Sequence, residues 1–172
     1  MKNRLQKIMD KMNEIQYGYK DIYPDNDENW DNNFQNYYHL QSPNELLKTK
    51  FGVCWDQVEL ERYYFKQNNI NCMSYFIVEY DGKEYPTHTF MVVQEDNKYF
   101  WFEHSWEPYR GIHEYSTLKL LLLDVKDKFN KMLKKRNISI EEVVIYEYSE
   151  PNSNLNSEQF FNHCEHGMKI KI

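Results

Sequence analysis

A thiol, an imidazole and a carboxylate stand in this sequence where they can do covalent chemistry together. The thiol lies in Phe51-Gly52-Val53-Cys54-Trp55-Asp56. Gly52 interrupts the pattern before it, and the run from Cys54 to about Gln67 predicts a helix with Trp55, Val58, Arg62 and Phe65 on one side, ended by Asn68-Asn69. Cys54 then falls in the first helical turn. Free N–H groups and the positive end of the helix dipole favour thiolate over thiol there, and the same N–H groups can receive an oxyanion. Gly52 is expected to let the chain bend sharply and to let a substrate approach closely. A buried structural thiol is the plainer reading of Cys54, and its position alone does not choose between the two.

A thiolate nucleophile needs a base or ion-pair partner, and imidazole titrates in the right range. His88 opens the strand-like run Pro86-Thr87-His88-Thr89-Phe90-Met91-Val92-Val93, with proline where a strand start tolerates it. The gap of 34 positions from Cys54 is no obstacle, because the partners need to meet only in space. A third group should accept a hydrogen bond from the imidazole and fix its orientation. Trp101-Phe102-Glu103-His104-Ser105-Trp106 offers Glu103 and His104. An even-numbered hairpin loop between the strands puts His88 on one face with Glu103 and Ser105; an odd loop or a bulge brings His104 alongside instead. Glu103 is preferred on that ground.

Several elements must position these groups. Leu5, Ile8, Met9, Met12 and Ile15 recur at helical spacing and predict a helix over residues 2–16. Tyr17 to Gln41 reads as an irregular connector, with the acidic run Asp25 to Asp31 as a surface loop. Ser42-Pro43-Asn44-Glu45 carries a capping box at the start of a short helix. Strands are predicted at Cys72 to Tyr80, Thr87 to Val93, Tyr99 to Trp106 and Val143 to Tyr148, with an Asp81-Gly82 turn after the first. Ser116 should cap a long helix whose stripe is Leu118, Leu121, Leu122, Val125, Phe129, Met132 and Leu133, and Ser157 a short final one. This order predicts an α+β fold, an antiparallel sheet of about four strands carrying helices on one side, with the cysteine at a helix N-terminus. The 172 residues suit one domain spanning 1–172, with 1–41 as its N-terminal helix and connector.

Composition narrows the function. The net charge of −6 and the lack of a clustered basic surface argue against nucleic acid; the run Lys131 to Arg136 suits a helix C-terminus. No stretch approaches the ~20 apolar residues of a membrane span. Three cysteines, Cys54, Cys72 and Cys164, do not describe a disulfide framework, and without a signal-like leader the expectation is a cytoplasmic protein with reduced thiols. The 15 tyrosines supply core area and, in part, walls for a substrate groove. Asp56 and Glu59 are expected on a solvated helix face or as partners of the helix N-terminal dipole. His163-Cys164-Glu165-His166 reads as a polar tail, and convergence of His88, His104 and His113 on zinc is not favoured; no metal or cofactor is expected.

From about Pro43 to Trp106 the chain resembles the transglutaminase-like superfamily. The resemblance lies in Gly52-Val53-Cys54-Trp55-Asp56, the strand-opening His88, and a tryptophan closely followed by an acid at Glu103. It implies a Cys-His-acid triad like that of papain-type peptidases and arylamine acetyltransferases, with the cysteine helix packed on an antiparallel sheet and the other two members on adjacent strands. Glu103 stands where the family usually has Asp, His88-Thr89-Phe90 where His-Ala-Trp is common, and Glu103-His104-Ser105 where Asp-Pro-Thr is common. The implied activity is acyl transfer on a peptide, amide or thioester, with water or an amine as acceptor. The alternative is a catalytically silent domain of the same fold that binds a peptide or protein partner.

Overall fold

The computed structural model describes residues 2–19, 30–80 and 85–172. In chain order it contains α1 (Lys2–Met12), β1 (Gln16–Tyr17), α2 (Trp30–Tyr37), α3 (Pro43–Thr49), β2 (Phe51–Gly52), α4 (Cys54–Gln67), β3 (Cys72–Glu79), β4 (Thr87–Glu95), β5 (Lys98–Glu103), β6 (Gly111–Tyr115), α5 (Leu118–Lys135), β7 (Val143–Tyr148), α6 (Ser157–Glu165) and β8 (Met168–Lys169). Six strands form one antiparallel sheet in the order β6-β5-β4-β3-β7-β8, while β1 and β2 pair in parallel as a separate ribbon. No helix among the described residues is long and apolar enough to cross a membrane.

The fold class is the α+β expected, with two corrections. The sheet has six strands rather than about four, because β6 and β8 add short edge strands at either side. Helices cover both faces, not one. On one face, Phe76, Val78, Met91, Val93, Phe100 and Phe102 pack with residues of α1, α4 and α6. On the other, Tyr75, Ile77, Phe90, Val92 and Trp101 pack with the apolar stripe of α5. The central strands are buried on both sides and so read as continuous apolar runs rather than alternating ones.

Local signals explain most boundaries. Ser42 and Glu45 form the capping box of α3, with Pro43 in its first turn. At the end of α4 the chain turns through Asn68 and Asn69, the latter left-handed at φ 52°. Asp96 and Asn97, with φ of 52° and 59°, join β4 to β5 as a two-residue turn that matches the twist of the flanking strands. Other starts lie one residue from expectation: Thr117, not Ser116, caps α5 through the Leu120 N–H (3.2 Å), and Asn156, not Ser157, caps α6. Helix α1 stops at Met12, where the chain turns toward β1 with the Ile15 N–H on the Met12 carbonyl (2.8 Å).

The segment predicted as connector holds β1 and α2. Helix α2 forms despite its Asn-rich sequence because Phe34 and nearby Tyr38 stack on each other (4.5 Å) and meet Trp55 edge-on at 5.3 and 5.5 Å. Most of the acidic run Asp25 to Asp31 and the predicted Asp81-Gly82 turn lie outside the described residues.

Candidate active site

Cys54 occupies the first position of α4, and its turn is fixed from both sides. Asp56 Oδ2 accepts the Val53 N–H at 3.0 Å, while Oδ1 accepts the Tyr38 hydroxyl (3.0 Å) and the Gln41 N–H (2.9 Å). One carboxylate thus ties the start of α4 to the segment joining α2 and α3. Burial pushes the Asp56 carboxyl up to about 7, against the pull of these hydrogen bonds. Asp56 and Glu59 are both buried, which corrects the solvated face, while the contact of Asp56 with the Val53 N–H agrees with the N-terminal partner given as its alternative. Glu59 is held by Arg62 Nε (2.7 Å) and the Tyr148 hydroxyl (3.2 Å). Helix α4 lies between the sheet and the N-terminal elements, so its polar positions from Asp56 to Arg62 are enclosed, while Lys66 and Gln67 at its end are exposed.

Gly52 also has a packing use that the sequence reading did not give. A Cβ there would come within 2.7 Å of Leu46 Cδ1 and 2.9 Å of Asp56 Cβ, so glycine lets α3 close onto the first turn of α4. The sharp bend is carried instead by Lys50, left-handed at φ 62°.

His88 and Glu103 meet as the strand-parity argument anticipates. The β4–β5 register pairs Met91 with Phe102 and Val92 with Trp101, which puts His88, Glu103 and Ser105 on one face. His88 Nε2 lies 2.8 Å from Glu103 Oε2. The same oxygen accepts Trp101 Nε1 (3.2 Å), and Oε1 accepts the Ser105 hydroxyl (3.1 Å) and the Trp106 N–H (2.8 Å). Burial opposes the charge of Glu103, but the adjacent His88 and these donors hold its carboxyl below the ordinary range. For His88, burial likewise opposes charge, yet the Glu103 carboxylate and, after it, the nearby Cys54 outweigh it and push the imidazole up to about 10. Because Nε2 is engaged by Glu103, Nδ1 is the ring nitrogen left for Cys54.

A family model for the transglutaminase-like domain matches residues 3–146. The chain belongs to this family. The match takes in Cys54, His88 and Glu103 and stops within β7, before α6. No curated protein matches the sequence.

Within this transglutaminase-like domain, His104 points to the opposite face from His88 and is fully buried. Its Nδ1 lies 2.6 Å from Gln57 Oε1, and Gln57 Nε2 donates to the Gly52 carbonyl at 2.7 Å. Burial and nearby Arg110 push His104 down to about 4, which keeps it neutral. It therefore braces the end of β5 against the turn before Cys54. His113 Nε2 lies 2.7 Å from the Tyr109 carbonyl, so the three histidines considered for zinc serve separate partners. In the C-terminal cluster, His163 and His166 meet the Ser149 and Asn162 carbonyls (2.9 and 2.6 Å), and Cys164 is buried. Among the described residues, no three potential ligands converge.

Tyr17 carries no motif, and the sequence reading missed it. The pairing of β1 with β2 sets Tyr17 beside Gly52, two residues before Cys54. Its phenol is pushed well up by its enclosed position and by the nearby Cys54, although the residue as a whole is 38% exposed. Together with His88, Ser105, Trp106, Phe129 and Met132 it lines a cavity of about 220 Å³. Cys54 itself is only 6% exposed.

Proposed function

We propose that this transglutaminase-like domain performs acyl transfer through a thioester on Cys54. What supports the reading is the 2.8 Å contact between His88 and Glu103, together with the closeness of Cys54 to the same imidazole. In the proposed cycle, the Cys54 thiolate attacks the carbonyl carbon of an amide or thioester and forms the C–S bond. Free N–H groups at the start of α4 receive the oxyanion. As the intermediate collapses, the bond to the leaving group breaks, and that group takes a proton from His88. Water or an amine then gives a proton to His88, attacks the thioester and releases Cys54. Glu103 holds the imidazole in position throughout.

A panel of activated amides and thioesters tests this reading. The expected result is an acyl mass increment on Cys54 in intact protein, absent in Cys54→Ala. No increment with any member, in protein whose Cys54 still reacts with iodoacetamide, would count against it. The near burial of Cys54 favours the second reading, a silent domain that binds a peptide or protein partner; that reading expects no acyl adduct at all.

A further inference from the structure

The cavity beside His88 has a composition that nothing in the proposed chemistry requires. It is lined by Tyr17, Thr87, His88, Ser105 and Trp106 together with Phe129 and Met132 of α5. Two of its lining residues, His88 and Tyr17, are ones on which Cys54 acts, so the cavity borders the surroundings of the sulfur on the His88 side. In acyl transfer that direction is occupied by the group that receives the His88 proton on departure. The acceptor that returns a proton to His88 comes by the same side.

Its size and lining restrict what enters. At about 220 Å³ it is smaller than the usual 300–1,000 Å³ of a ligand site, which fits one side-chain-sized group. Trp106 meets Phe129 edge-on at 6.5 Å and His88 at 5.0 Å, presenting aromatic surface on two sides. Among the described lining residues there is no carboxylate, and Glu103 is engaged by its own four donors. The rim is cationic: Arg136 lies 3.8 Å from the Met132 sulfur, and its charge reaches the Tyr17 phenol. A positively charged group would meet Arg136 with no counter-charge in the lining.

We infer that this cavity is the subsite for the leaving group and the acyl acceptor, and that it takes an apolar or aromatic group without positive charge. The inference rests on the acyl-transfer reading for the direction of the group, but its test needs only a reactive Cys54. Alkylation rates at Cys54 would be measured with iodoacetamide, iodoacetanilide and an iodoacetamide carrying an aminoethyl group. Each rate is divided by the rate of the same reagent with glutathione. Iodoacetanilide should be favoured over iodoacetamide by about tenfold, as expected for seating an aromatic ring on partly enclosed apolar surface, and the cationic reagent should be the slowest. Met132→Lys should remove most of the aromatic preference; Met132→Ala, which opens the wall without adding charge, should lower it less and guards against a misfolded lysine variant. Equal rates for the neutral reagents, a preference for the cationic one, or an aromatic preference untouched by both substitutions would each overturn the subsite. An aromatic preference in a protein that forms no acyl adduct would keep the subsite while removing the chemistry.

Discussion

The two faces of the sheet bury very different side chains. Toward α4 the interior holds Asp56, Gln57, Glu59, Glu61, Arg62, Ser74 and His104 among its apolar residues. Toward α5 it is Leu121, Leu122, Val125, Phe129 and Leu133 against Tyr75, Ile77, Phe90, Val92 and Trp101, and the buried polar groups there, among them Glu79, His88, Glu103 and Ser105, stand at or just beyond the strand ends. Apolar packing alone tolerates small shifts, whereas a buried carboxylate with three donors has one good arrangement. The α4 face spends its polar groups on fixing the turn that carries Cys54: Asp56 holds Val53, and Gln57 with His104 holds Gly52. The α5 face supplies apolar mass and one wall of the cavity. Cys54 comes from the first layer and the His88–Glu103 pair from the second, so the site is assembled where the two kinds of interior meet.

The largest expected effect is on a buried polar group of the α5 face. Glu103→Ala leaves a buried imidazole without its carboxylate and should cost about 3–5 kcal/mol, read as a fall in unfolding free energy in urea. The pair also sets a pH dependence. The folded-state pKa of His88 is raised, so its stabilising contribution is complete below its ordinary 6.5 and is lost as pH rises through about 10. Urea titrations across that range should show a decline in wild type that is flatter in His88→Gln; equal slopes would break the pairing.

Next comes pure packing. Leu121→Ala, in the centre of the α5 stripe, should cost about 3 kcal/mol while leaving the pH profile of Cys54 alkylation unchanged in shape. A changed profile would mean that the α5 face does more than pack. Asp56→Asn should cost about 1–2 kcal/mol and slow Cys54 alkylation at constant pH, because one acceptor of the turn is lost; normal alkylation would remove Asp56 from the positioning of Cys54. Thr117→Ala, at the start of α5, should cost only about 1 kcal/mol in the same titration and not touch the cysteine.

The same contrast explains what could be read in the sequence. Helix α4 and strand β7 have the extents their patterns predict, because each is bounded by strong local signals. Parity alone chose Glu103 over His104, and the two-residue turn at Asp96-Asn97 makes the loop even. What stayed hidden depends on partners distant in sequence. Helix α2 forms against Trp55 rather than from its own propensity. Strands β6 and β8 are short edges with little apolar pattern. The buried role of Asp56 requires Tyr38 and Gln41, and Tyr17 reaches Cys54 only through the β1–β2 pairing. No spacing rule connects those residues.

The central claim is the coupling of Cys54 to His88. Its direct test is the rate of Cys54 alkylation by iodoacetamide as a function of pH, in wild type and in His88→Ala, with the label located by mass spectrometry. Burial pushes the Cys72 and Cys164 thiols up, so both should label slowly at neutral pH. The expected result is that wild-type Cys54 labels ahead of both, and that His88→Ala slows it at neutral pH and shifts its profile. A Cys54 that labels no faster than the other two, or whose profile is the same with and without His88, would contradict the pair and with it the acyl-transfer reading.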